Sequence, residues 1–214
     1  MTGRECPEVL VVETGTANLA SVLAALERAG ARPQTTTSAA EIERAGAVVL
    51  PGVGAFNRGM TNIRERGLEA PLLEAVAAGK PFLGICLGLQ LLFTESDEEG
   101  LHKGLGVIEG RVERFTCGLK IPHIGWNNVK FTDDALFAGV PDGSFFYFVH
   151  SYHGVPKDMS CAIGLTEYGQ TFVSAVRRGN VWASQFHPEK SAGLGLKMLE
   201  NFCRYVGQTH NSVS

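Results

Sequence analysis

Ala47-Val48-Val49-Leu50 has no polar side chain to turn toward water. A strand with apolar residues at every position must be covered on both faces, as in a parallel sheet held between helix layers. The surrounding sequence supplies the matching alternation. Val9-Val12 reads as a strand, Asn18 to Ala29 places Leu19, Val22, Leu23 and Leu26 at helical spacing before Gly30, and Arg32-Thr36 returns as a strand. Ser38 with Glu41 predicts a capping box for a short helix, and Leu68 to Ala78 predicts a longer helix ended by Gly79. The expected fold class is therefore α/β: three layers, with a central, mostly parallel sheet flanked by helices.

The second half changes character. Residues 107–115, 125–131, 145–149, 161–166, 172–177 and 181–184 are short strand candidates separated by turn residues, which predicts antiparallel meanders added to the same sheet. Ser191 to Val206 carries Leu194, Met198, Leu199 and Phe202 on one face and predicts a closing helix, followed by a mobile tail over 207–214. With 214 residues, 44% of them apolar, and no linker or repeat, residues 1–206 are expected to form one domain.

Against this frame, Gly84-Ile85-Cys86-Leu87-Gly88 stands out as a cysteine between two glycines, after an apolar run and before a helix-compatible one. A strand that turns sharply into a helix leaves the thiol at the helix N-terminus, where unpaired N–H groups and a partial positive charge favour thiolate. This is the sulfur version of the Gly-x-Ser-x-Gly nucleophile elbow. A thiol nucleophile needs a base and the base needs an orienting partner. In Gln185-Phe186-His187-Pro188-Glu189, His187 at a strand end with Glu189 two residues on supplies both. Donors for a developing oxyanion come from the Leu87 amide and from Pro51-Gly52-Val53-Gly54, whose glycines let the N–H of Val53 or Gly54 turn toward the same point.

Charge and cysteine usage exclude other classes. The net charge of −3, from 19 basic and 22 acidic residues, supplies no cationic field for nucleic acid or anionic lipid. No window has the length and continuity of a membrane span or signal peptide, so the expected location is cytoplasmic. The five cysteines are scattered, with no Cys-x-x-Cys pair suited to zinc, and are expected to be mostly reduced thiols.

Together these blocks resemble the class I, or triad-type, glutamine amidotransferases: the Gly-x-Cys-x-Gly elbow with Gln90 four residues after the thiol, the Pro-Gly-Val-Gly-Ala-Phe loop upstream, and Phe-His-Pro-Glu-Lys downstream. Within that family, Pro122 to Asn127, Val149 to His153 and Gln185 to Ser191 look like the amidotransferase subunit of imidazole glycerol phosphate synthase. The resemblance implies a flavodoxin-like fold, a Cys86-His187-Glu189 triad, L-glutamine as nitrogen source, and no cofactor or metal. It further implies that Gln90 and Glu98 hold the polar groups of glutamine, that Gly52 belongs to the substrate site, that Ser151 and Tyr152 contribute backbone contacts, and that ammonia passes to a separate (β/α)8-barrel cyclase in a heterodimer. Lys190 is then a partner contact, and Asn18 is either a partner contact or the N-cap of the following helix. Trp126 suits an interface anchor, because indole buries a large apolar area while keeping one N–H donor; a core tryptophan is the alternative. The chain departs from the family at Thr14-Gly15-Thr16-Ala17-Asn18-Leu19, where an aromatic residue and a second glycine are usual. His102, His123, His150, His153 and His210 are expected to be structural or surface groups. Rival readings are an amidotransferase serving anthranilate, pyridoxal phosphate or guanylate synthesis, and a non-catalytic protein using Cys86 as a redox sensor.

Overall fold

The computed structural model describes residues 6–15 and 17–211, so Thr16 and the last three residues of the expected tail lie outside the described residues. The first half alternates as expected: β1 (Glu8–Val12), α1 (Leu19–Arg28), β2 (Arg32–Thr36), α2 (Ala39–Arg44) and β3 (Val48–Gly52). Two helices, α3 (Phe56–Glu65) and α4 (Glu69–Ala77), lead to β4 (Phe82–Cys86), which runs directly into the short α5 (Leu87–Leu91). Then come β5 (Phe93–Ser96), β6 (His102–Lys103), β7 (Ile108–Arg114), β8 (His123–Phe131), β9 (Ser144–His150), β10 (Tyr152–Pro156), β11 (Ala162–Glu167), β12 (Thr171–Arg178) and β13 (Val181–Ser184). Helix α6 (Ala192–Asn211) closes the chain.

Nine strands form the main sheet in the order β2-β1-β3-β4-β13-β12-β11-β8-β9. The first five are mutually parallel, and the pairings from β13 to β9 are antiparallel. Both faces are apolar, which accounts for strands without polar positions. Val48 and Leu50 pack with Phe56, Met60, Ile63 and Leu72 on one face, while Val49 packs with the cluster holding Val22, Leu26, Phe202 and Val206 on the other. Fully burying a side chain of this size contributes about 1.5–3 kcal/mol, so the two layers, and not helix propensity, hold α1, α3 and α6 in place.

The structure departs from the sequence expectation in several places, among them the unanticipated strands β5, β6 and β10 and the parallel pairing of β13 with β4. Strand β7, expected to extend the main sheet, belongs instead to a second sheet of order β10-β7-β5-β6. Helix α3 was not anticipated, because Asn57, Gly59, Thr61 and Asn62 are poor helix formers; its Phe56, Met60 and Ile63 stripe is what the core selects. Ser38 sits at the N-cap of α2 but makes no side-chain capping bond. There Thr36 takes over, binding Glu41 and accepting the Ser38 N–H. Finally, the expected tail is helical through Asn211, because α6 runs on past Val206.

Asp134 ties the antiparallel half together. Its side chain, 4% exposed, accepts from the buried Trp182 Nε1 at 3.0 Å, from Arg177 Nη1 at 2.9 Å and from the Leu136 N–H at 2.8 Å. Asp134→Ala leaves the indole N–H buried without a partner and unpairs the guanidinium. A loss of about 3 kcal/mol is expected, read as a melting temperature lower by about 6–12 °C in a chain of this size. A shift under 2 °C would show that the cluster relaxes onto water at little cost.

Candidate active site

Three neighbouring parallel strands end on the same side of the sheet. In register, Gly52 at the end of β3 lies beside Cys86 at the end of β4, and Ser184 at the end of β13 lies beside Ile85. The loops leaving these ends therefore carry Val53-Gly54, the thiol, and Gln185 to Glu189 into one region. In open parallel sheets, that carboxyl edge is where ligands bind.

Cys86 has φ 54 and ψ −105, a conformation rare for a residue with a side chain. Backbone strain of this kind costs on the order of 1–3 kcal/mol and persists only where the surroundings impose it. Here they do. A Cβ on Gly88 would lie 1.8 Å from the Leu50 carbonyl oxygen, so α5 is pressed against β3 with no room for any side chain at that position. The turn lifts the sulfur off the strand and points Leu87 into the helix. The sharp strand-to-helix elbow expected from Gly-Ile-Cys-Leu-Gly is present.

His187 Nδ1 lies 2.8 Å from Glu189 Oε1, and both side chains are 2% exposed. A carboxylate oxygen accepts, so Nδ1 carries the hydrogen and Nε2 is left for chemistry. That nitrogen is buried and completes no well-angled hydrogen bond at rest, yet the Cys86 sulfur is close enough to act on the ring. Burial alone would lower the His187 pKa; the Cys86 sulfur and Glu189 outweigh it and raise the pKa to about 10. The imidazole is thus a held proton facing sulfur, backed by a carboxylate.

A cavity of about 380 Å³ opens over the thiol, lined by Val53, Gly54, Cys86, Leu87, Gln90, Glu98, Ser151 and Tyr152, among others. Every oxyanion and substrate candidate is there except Gly52, which is buried beside Cys86 at the end of β3. Gly54, at φ +95, adopts a backbone that L side chains rarely reach, as the expected loop turn requires. Glu98 accepts the Phe56 N–H at 2.7 Å at the start of α3, and burial pushes its pKa up. Gln90 Nε2 donates to the Tyr152 carbonyl at 3.0 Å and to Gln185 Oε1 at 3.1 Å.

Gln185 was missed, and His150 is the structural group expected of it, although it also reaches the cavity. Gln185 donates from Nε2 to the Cys86 sulfur at 3.7 Å, and His150 lines the cavity while its Nδ1 meets the Tyr152 carbonyl at 2.7 Å. A glutamine immediately after the wholly buried strand β13 was the available signal for the first, since an amide there needs partners.

The outer face of the β8–β9 hairpin is apolar and uncovered. Ile124, Trp126 and Phe145 are exposed, Trp126 at 52%, so the core-tryptophan alternative fails; the buried indole is that of Trp182. Lys190 Nζ lies 5.8 Å from the centre of the Tyr147 ring on the same hairpin. Tyr147 turns its peptide groups away from β8: the His187 N–H donates to its carbonyl at 2.9 Å, and its own N–H donates to Ser191 Oγ at 3.0 Å. Asn18 occupies the N-cap of α1 without a side-chain capping bond and does not line the cavity.

Known proteins resemble this chain in sequence and in fold. Residues 10–206 match the family described as glutamine amidotransferase class-I. The chain is 46% identical over 205 residues to the imidazole glycerol phosphate synthase subunit HisH of Moorella thermoacetica, covering 95% of this chain and 98% of that one. With the protein of the same description from Synechococcus sp. (strain JA-2-3B'a(2-13)) the identity is 49% over 203 residues, covering 92% and 93%. Among solved structures, PurLQS from Thermotoga maritima has a similar fold, with a TM-score of 0.73 at 19% identity over 94% of this chain and 99% of that one. The elbow, the buried His-Glu pair and the matched span all lead to one assignment: the chain belongs to the class-I glutamine amidotransferase family.

Proposed function

We propose that this chain is the glutaminase subunit of an imidazole glycerol phosphate synthase, with residues 1–206 as its amidotransferase domain. It hydrolyses L-glutamine and passes the ammonia to a separate (β/α)8-barrel cyclase subunit. The observation that carries the chemistry is Cys86, on a strained elbow and lining the cavity, with the buried His187–Glu189 pair close to its sulfur. The pathway rests on 46–49% identity to HisH subunits over nine-tenths of the chain.

The Cys86 sulfur attacks the side-chain carboxamide carbon of glutamine, forming a C–S bond and moving the carbonyl pair onto oxygen. The amides of Leu87 and of Val53 or Gly54 receive that oxyanion; one such donor is worth about 2.7–4 kcal/mol in other hydrolases. His187 gives its proton to the departing nitrogen as the C–N bond breaks, and Glu189 keeps the ring aimed. Water, losing a proton to Nε2, then opens the thioester and frees glutamate. The ring suits this role, because Glu189, bonded to Nδ1, favours its protonated form when the amine must leave. The exposed Ile124, Trp126 and Phe145, with Lys190 beside them, form the face offered to the cyclase. Asn18 is assigned to the same contact by resemblance alone.

The test is labelling with a glutamine-like diazo ketone, 6-diazo-5-oxo-L-norleucine, in the complex with cyclase and its nucleotide substrate. Mass spectrometry should find one adduct, on Cys86, formed at least about 100-fold more slowly in His187→Asn. A redox-sensing thiol would react with generic oxidants and ignore the glutamine moiety. Labelling indifferent to residue 187 would remove the triad.

A further inference from the structure

Seven groups form one continuous hydrogen-bonded series from the exposed hairpin to the nucleophile. Asn127 Nδ2 and His123 Nε2 are 3.3 Å apart, His123 Nδ1 and His150 Nε2 are 3.0 Å apart, and His150 Nδ1 and the Tyr152 carbonyl are 2.7 Å apart. From that carbonyl the series continues through Gln90 Nε2 at 3.0 Å, then Gln185 Oε1 at 3.1 Å, and ends where Gln185 Nε2 meets the Cys86 sulfur at 3.7 Å.

Valence fixes the direction of every link. A carbonyl only accepts, so His150 Nδ1 carries the hydrogen, and in a neutral ring its Nε2 must then accept. His123 therefore donates from Nδ1 and accepts at Nε2. Asn127 supplies that last hydrogen, its other being given to the Glu167 carbonyl at 2.9 Å. Burial holds both rings neutral at physiological pH, lowering His123 to about 4 and His150 to about 3. At the other end, Gln90 spends its two amide hydrogens on the Tyr152 carbonyl and on Gln185. Gln185, 0% exposed, is left with one orientation: oxygen toward Gln90, nitrogen toward sulfur.

From this we infer that Gln185 is a positioning residue for the Cys86 sulfur, and that His123, through His150, Tyr152 and Gln90, is its remote support. The inference rests on the glutaminase reading and deepens it. A sulfur held by a fixed N–H keeps one rotamer during attack. A donor fixed through a chain of fully satisfied groups holds position better than one resting on solvent. His123 neither lines the cavity nor touches the thiol by any bond described here. Its ring stacks between Phe148 and Tyr168, with centroids at 4.8 and 4.0 Å, so phenylalanine fills its place without the donor.

Glutamate release is measured in the complex with cyclase and its nucleotide, together with thermal melting. Gln185→Met, similar in length but without a donor, should lower kcat about 10- to 100-fold with KM within threefold. His123→Phe should lower kcat about 3- to 10-fold, again at unchanged KM, and His123→Asn, which keeps a donor at the δ position, should recover most of it. The double variant should be no slower than Gln185→Met alone, because residues acting in one series do not add. If Gln185→Met does not fold, the two His123 variants carry the test, since they leave the surroundings of the thiol intact. Wild-type kcat in Gln185→Met or His123→Phe, failed recovery in His123→Asn, or multiplied losses in the double variant would overturn the inference while the glutaminase reading stands. A wild-type complex that releases no glutamate would end both.

Discussion

Cys86→Ala abolishes glutamine-driven synthesis by the complex and leaves ammonia-driven synthesis by the cyclase at the wild-type rate. The expected loss in glutamate release is at least about 10⁴-fold, since removing a nucleophile that acts as a unit with its base leaves only binding and oxyanion stabilisation. The substitution is gentle on the fold: alanine keeps the Cβ, and the side chain lost is a single sulfur in a cavity floor. The proposed docking face keeps its side chains as well, because the exposed Trp126 and Ile124 lie on β8. The two nitrogen sources therefore separate the roles. Product formation measured with glutamine, and again with an ammonium salt at alkaline pH, should differ only in the first. Loss of both would mean that the thiol serves the interface or the fold, and the glutaminase assignment would fall.

Gly88→Ala is expected to be the most damaging glycine-to-alanine change among the described residues. The added carbon would meet the Leu50 carbonyl oxygen at 1.8 Å and its carbonyl carbon at 2.9 Å. Both are backbone atoms of a central strand, so no side-chain rotation relieves the clash. Either α5 lifts from β3, opening the layer formed by Leu50, Leu87 and Leu91, or the elbow unwinds. A cost above about 4 kcal/mol, the range kept for severe overpacking, is expected. Thermal melting should show a fall greater than about 10 °C or no folded protein at all, and any folded fraction should have lost glutamate release. A melting temperature within about 3 °C of wild type would show that the elbow is not wedged as described.

Much of this was legible in the residues. Runs such as Ala47 to Leu50 specify strands because a fully apolar segment bounded by glycine and proline has few other ways to be buried. The elbow at Cys86 and the pairing of His187 with Glu189 were legible because the flanking glycines announce the turn and a carboxylate two residues on can reach the ring. What stayed hidden depends on partners far along the chain. Alternation marks 108–114 as a strand but does not say which sheet it joins, since pairing with residues 152–156 is a tertiary choice. Helix α3 owes its existence to a face packed on α5 and to Glu98 at its start, neither of which its own composition announces. Gln185 and His150 were read as parts of a family block, not as groups with hydrogens to place.

Strand β9 ends the large sheet, and a terminal strand normally leaves its outward peptide groups open to a second molecule. At Tyr147 they are already taken, by the backbone of His187 and the hydroxyl of Ser191. The segment that carries His187 thus also covers part of the sheet's terminal edge. Loosening that segment would uncover those two peptide groups at the rim of the sheet.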